Sequence, residues 1–234
     1  MLTSLLKELE ELKDLKQASL LQRFFKTGKG EYGEGDIFLG VKVPVQRQVA
    51  KGYANLSLMN IQELLKSKIH EHRLVGLLIL VDKYKKGKEQ DKANIFEFYL
   101  KNAKLKRINN WDLVDLTSHK IVGEFLLDKD KKILYNLVQG NLWEKRIAII
   151  STFAFIRKNE FLDALAISEL LLKDEHDLIH KAVGWVLREI GKKDKSVLEN
   201  FLKQHYKEMP RTMLRYAIEK FDESERRKWL KKEK

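Results

Sequence analysis

Trp111-Asp-Leu-Val-Asp115 aligns on its lead residue with four other segments: Arg73-Leu-Val-Gly-Leu77, Arg146-Ile-Ala-Ile-Ile150, Lys181-Ala-Val-Gly-Trp185 and Arg211-Thr-Met-Leu-Arg215. The lead positions 73, 111, 146, 181 and 211 step by 38, 35, 35 and 30 residues. Periods of this size, with two helices in each, mark HEAT-like arrays, whose units bury their apolar faces only by stacking on neighbours. The fold expected is therefore all-α: a HEAT-like helical-repeat solenoid (an α-α superhelix) with a concave basic face. Residues i and i+4 share a helix face. If the repeats superpose, Arg73, Trp111, Asp115, Arg146, Lys181, Trp185, Arg211 and Arg215 line one side of the curve, the concave side that such proteins use for binding.

Working outward from that motif, only two prolines interrupt 234 residues, and apolar side chains recur at three- and four-residue spacing through most of the chain. An array has no internal boundary, so a single domain over residues 1–234 is expected. It comprises N-terminal helices within 1–26, a glycine-rich loop at 27–36 and helical repeats over 44–234. Helices are expected from Ser4 to about Leu15 and from Gln17 to Lys26. Thr27-Gly-Lys-Gly-Glu-Tyr-Gly-Glu-Gly-Asp36 carries four glycines in ten residues and reads as a loop. Pro44 opens the next helix at its first turn. Later helix starts are expected near Ser57, Glu71, Gln90, Asn110, Lys129, Leu142, Glu160, Asp177, Lys195, Pro210 and Glu223, with turns at Gly87, Gly140 and Gly191.

Forty-six Lys and Arg against 34 Asp and Glu leave a net charge of +12, spread over the whole length, with a sequence pI near 9.5. That balance suits a folded protein that meets a polyanion, with nucleic acid first and an anionic membrane second. No window approaches the roughly 18 uncharged apolar residues of a membrane span. The N-terminal stretch is broken by charge too early for a signal peptide, so a cytoplasmic protein is expected. The absence of cysteine excludes disulfides, thiolate metal sites and a cysteine nucleophile. The six histidines show no metal-site spacing, so no metal is expected.

Asn109-Asn110-Trp111-Asp112-Leu113-Val114-Asp115 reads as a helix start with an asparagine cap and an acidic first turn. Asp112 is explained by the helix dipole. Asp115, a turn further in and on the face of Trp111, is either a site residue or the ion-pair partner of a neighbouring repeat such as Arg146. Trp185 either lines the site or fills the space beside Gly184. Trp143 reads as packing. Arg146 could hold a phosphate, Asp115 or only solvent. The basic groups Lys192, Lys193 and Lys195, with Lys129, Lys131 and Lys132 and the run from Arg226 to Lys234, are either phosphate-tracking patches or solvated faces. The glycines at 28, 30, 33 and 35 lack the strand, spacing and Lys-Ser/Thr pair of a nucleotide loop.

Taken in order, Gly33-Glu-Gly-Asp-Ile-Phe-Leu-Gly-Val-Lys-Val-Pro44, Asn110-Trp-Asp-Leu-Val-Asp115, Trp143-Glu-Lys-Arg-Ile-Ala-Ile149, Gly184-Trp-Val-Leu-Arg-Glu189 and Pro210-Arg-Thr-Met-Leu-Arg215 span most of the chain. In these segments the chain resembles the AlkD-type DNA alkylation-repair glycosylases. The resemblance implies a monomeric hydrolase that excises cationic N3- and N7-alkylated purines, such as 3-methyladenine and 7-methylguanine, from double-stranded DNA in base excision repair. It implies no metal and no organic cofactor. Motif by motif, Asp115 corresponds to the family's catalytic aspartate, Trp111 and Trp185 to the tryptophans beside the lesion's sugar, and Arg146 to a supporting arginine. Arg73, Lys181, Arg211, Arg215, Lys192, Lys193 and Lys195 are the expected DNA contacts. One departure concerns the second N-terminal helix, where the family's founding members place a tyrosine near the DNA and this chain has Phe24 and Phe25. Two other readings use the same array: a non-catalytic binder of damaged or branched DNA, and a HEAT-like protein scaffold.

Overall fold

The computed structural model describes residues 1–231, so the last three positions of the basic run from Arg226 to Lys234 lie outside the described residues. Among the described residues all regular structure is helical, apart from one isolated parallel bridge between Ile37 and Ile69. The chain divides into two compact units, 1–117 and 118–234.

The first unit is built from α1 (Leu2–Glu11), α2 (Leu15–Phe24), α3 (Val43–Gly52), α4 (Leu58–Leu65), α5 (His70–Lys86), α6 (Glu89–Lys104) and α7 (Trp111–Asp115). Side-chain caps explain two of the starts: Asp14 accepts from the Gln17 amide, and Ser57 accepts from the Asn60 amide. Helix α5 is the axis of the unit. Its residues Leu74 to Val81 are buried on every side, as expected of a helix apolar all round, and α1, α3, α4, α6 and α7 pack on it. The glycine-rich segment at 27–36 is a loop, and the extended stretch after it lies against α2. Gly40 has φ +91° there, and a Cβ on it would collide with the Asp14 carbonyl, so no other residue fits.

The second unit opens with a π-turn, His119–Gly123, and continues through α8 (Glu124–Leu126), α9 (Lys132–Val138), α10 (Leu142–Ser151), α11 (Phe153–Arg157), α12 (Leu162–Leu170), α13 (Asp177–Lys193), α14 (Lys195–His205), α15 (Arg211–Ala217) and α16 (Glu223–Lys231). Here α13 is central and packs against α10, α11, α12, α14 and α15. Its apolar stripe, Ile179, Ala182, Val183, Val186, Leu187 and Ile190, is buried.

Most expected boundaries hold within three residues, and two readings need correction. Gly191 is not a turn, because α13 runs through it to Lys193 and the break falls at Asp194, whose side chain caps α14. Gly184 does not make room for Trp185. A Cβ there would stand 2.5 Å from both the Met213 carbonyl oxygen and the Tyr216 Cβ, so this glycine lets α15 approach α13. All five lead segments are helical. In three of them, starting at 111, 181 and 211, the first and fifth residues reach solvent while those between are buried or half-buried. In the segments starting at 73 and 146 all five residues are buried.

Candidate functional site

Helix α7 is only five residues long, too short to hold itself in water. What fixes it is a polar network under its first turn. The Asn110 side-chain carbonyl accepts from the Trp111 amide at 2.8 Å, and its Nδ2 donates to Asp36 Oδ2 at 3.2 Å. Asp36 in turn pairs through Oδ1 with Arg73 Nη2 at 2.7 Å and lies 3.3 Å from His70 Nδ1. The other imidazole nitrogen, Nε2, is 2.8 Å from Asp112 Oδ2. Every member of this set is buried. One residue along, Glu71 accepts from the amides of Leu39, Gly40 and Val41 at 3.0, 2.8 and 3.3 Å. The first turn of α5 thus staples both α7 and the stretch after the glycine-rich loop.

Burial by itself would drive the His70 proton off. The charge and hydrogen bond of Asp112, joined by the hydrogen bond to Asp36, outweigh burial and the opposing Arg73 charge, and the pKa is pushed up to about 9. Burial likewise works to raise Asp36, but its hydrogen bond to His70 and the Arg73 charge hold it below the ordinary carboxylate value. At neutral pH His70 is therefore an imidazolium, set between the carboxyl groups of Asp36 and Asp112, with the Arg73 guanidinium on the other oxygen of Asp36. Aromatic rings enclose it. Phe38 stacks on His70 at 4.5 Å, Phe25 lies 5.1 Å from the same ring, and Phe25 also stacks on Trp111 at 5.0 Å with planes 7° apart. Phe24, 63% exposed, meets the Trp111 ring edge-on at 5.9 Å.

Above this base α7 presents Trp111 and Asp115, both half-buried and four residues apart on one face. The Asp115 charge is felt by Tyr99, whose hydroxyl is pushed up first by burial, is opposed by its hydrogen bond to Thr117, and is raised further by that carboxylate. The two carboxylates of α7 are divided: Asp112 is buried against His70, while Asp115 is half-buried.

In the second unit, Trp185 is half-buried on α13 and leans on Phe153, ring centres 4.7 Å apart and tilted by 58°. Arg146 is 5% exposed and donates from Nη1 to the Leu178 carbonyl, tying α10 to α13. Lys181 pairs with Asp177 at 2.6 Å, Lys192 with Glu189 at 2.7 Å and Lys195 with Glu225 at 2.6 Å, all partly or fully exposed pairs that a phosphate could displace. Lys193, Arg211 and Arg215 are exposed and have no ion-pair partner among the described residues.

The expectation for Arg73 is corrected by its position. At 4% exposure and paired with Asp36, its guanidinium has no surface to offer a phosphate and serves the interior. Asp112 is likewise more than a helix-dipole residue. Trp143 is buried, as a packing residue should be. The sequence singles out neither His70 nor Asp36, and it marks Asn110 only as a helix cap. The available signal was four consecutive ionisable residues, His70, Glu71, His72 and Arg73, ahead of the apolar run from Leu74 to Val81.

The sequence pattern of the DNA alkylation repair enzyme family matches residues 5–221. No curated protein matches the chain. A solved structure described as "Predicted DNA alkylation repair enzyme from Enterococcus faecalis" superposes with a TM-score of 0.69 at 16% sequence identity, covering 90% of this chain and 97% of that one, so the two share a fold. With the family pattern spanning all but the ends of the sequence, the chain belongs to the DNA alkylation repair enzyme family.

Proposed function

We propose that this protein is a DNA glycosylase that hydrolyses the N-glycosyl bond of cationic N3- and N7-alkylated purines in duplex DNA, and that its helix pairs are HEAT-like repeats presenting a basic DNA-binding face. The observation that carries this reading is the division of labour on α7, where Asp112 is buried against His70 while Asp115 and Trp111, four residues apart, are half-buried.

An alkylated purine of this kind is already a cation and leaves as a neutral base, so little acid catalysis is required. Positive charge grows on the sugar as the bond breaks. An ionised carboxylate in a partly dehydrated setting stabilises that charge where it develops, and Asp115 supplies it while orienting the attacking water. The Trp111 indole adds cation–π stabilisation of the sugar, worth about 0.5–2 kcal/mol depending on desolvation. The α7 staple keeps both groups in place with no reorganisation during the reaction. Lys181, Lys192, Lys193, Lys195, Arg211 and Arg215 hold the DNA backbone without reading sequence. Arg146 acts indirectly, by fixing α13.

The test is release of 7-methylguanine and 3-methyladenine from methylated duplex DNA by the purified protein. Release supports the reading. Salt-dependent duplex binding without release would replace it with a non-catalytic DNA binder, and no DNA binding at all would leave a protein scaffold.

A further inference from the structure

Within the second unit, a cleft of about 590 Å³ opens beside Trp185, lined also by Phe153, Ile156, His119, Lys192 and Lys193. Its volume falls in the ~300–1,000 Å³ range of small-ligand sites. Two properties define what fits. First, the wall is aromatic: Trp185 and Phe153 meet at 58°, and His119, which opens the π-turn, stands edge-on to Phe153 at 6.3 Å. Second, the remaining charge is positive. Glu189 is engaged by Lys192 at 2.7 Å and Arg188 at 3.5 Å, and Arg157 by Glu124 at 2.7 Å, which leaves Lys193 as a cation with no ion-pair partner among the described residues.

An indole face with a second ring tilted against it, next to an uncommitted ammonium, matches a base joined to a phosphate. It does not match the alkylated purine itself, which is a cation and would be repelled by the lysines. A base inside a duplex stack keeps both faces covered, so only an unpaired nucleotide can offer one. We propose that this cleft is a subsite for a single unpaired, uncharged-base nucleotide, with the base against Trp185 and Phe153 and the phosphate at Lys193. The proposal rests on the DNA-binding part of the reading above but not on excision.

The probe is a pair of DNA duplexes of identical sequence, one fully paired and one carrying a single unpaired adenosine, with affinities measured for the full-length protein at the same salt. The wild type should bind the bulged duplex about tenfold more tightly, the scale of one base–aromatic stack. Phe153→Leu keeps an apolar side chain but removes the ring, and should lower the ratio of the two affinities below that of the wild type. Phe153→Tyr keeps the ring and should keep the ratio, which separates ring stacking from simple loss of fold. Lys193→Gln should lower the salt slope for the bulged duplex by about one phosphate contact. A wild-type ratio near one, or a tenfold ratio surviving in Phe153→Leu, overturns the subsite while leaving the DNA-binding reading intact. Failure to bind either duplex would instead overturn both.

Discussion

His70 Nε2 lies 2.8 Å from Asp112 Oδ2, and through this contact the first turn of the central helix α5 holds the first turn of α7, the five-residue helix that carries Trp111 and Asp115. Buried, the pair stands or falls together. Removing one partner leaves a charge in the interior, which costs far more than an exposed pair is worth.

Asp112→Asn is therefore expected to be strongly destabilising, by about 3–5 kcal/mol, the scale of breaking a buried ion pair. Urea unfolding of the variant against the wild type measures it. A loss under 1 kcal/mol, the helix-dipole scale, would mean that the staple is not carrying α7.

The same network sets a pH dependence. His70 is raised from 6.5 to about 9, so the stability it contributes is complete below about pH 6.5 and is lost as pH rises through 9. A shift of that size corresponds to a loss on the order of 3 kcal/mol. Asp36 acts at the other end: its carboxyl is held below 3.8, so its contribution is present above that value and is lost as pH falls further. The melting temperature should thus decline from pH 6.5 to 10, and His70→Gln should flatten that decline. An alkaline decline of the same size in both proteins would remove His70 as its cause.

Much of this arrangement was legible in the sequence because it is local. The recurrence of apolar residues at helical spacing, the asparagine before Trp111 and the four glycines at 27–36 are each read within one turn or loop, and each corresponds to the element observed. The staple was not legible. Its contacts join residues 34 and 42 positions apart, and nothing periodic marks them. Arg73 illustrates the limit: stacking lead residues puts it on the face of Lys181 and Arg211, yet a guanidinium at the same repeat position can be turned to solvent or buried on a carboxylate, and Asp36 decides which.

Trp111 is stacked on Phe25 and half-exposed, so Trp111→Ala should lower excision by roughly 2- to 30-fold, the range of a cation–π contribution of 0.5–2 kcal/mol. Duplex affinity should fall less than this. Parallel titrations and single-turnover assays check the difference, and an affinity loss as large as the rate loss would make Trp111 a binding residue only.

Charge reversal of Lys192, Lys193 and Lys195 together should weaken duplex binding to the same extent on unrelated sequences. The logarithmic salt slope should drop by about 0.9 for each phosphate contact removed. Equal slopes for variant and wild type would show that this basic group faces solvent rather than DNA.

The central claim is that the Asp115 carboxylate stabilises the sugar cation, and Asp115→Asn tests it most directly because it removes the charge while nearly keeping the shape. The measurement is single-turnover release of 7-methylguanine from methylated duplex DNA at saturating protein, which separates chemistry from affinity. The account predicts a rate roughly 10²–10³-fold below wild type, the cost of losing one preorganised electrostatic contact, with binding to undamaged DNA retained. Release by Asp115→Asn at the wild-type rate would contradict it.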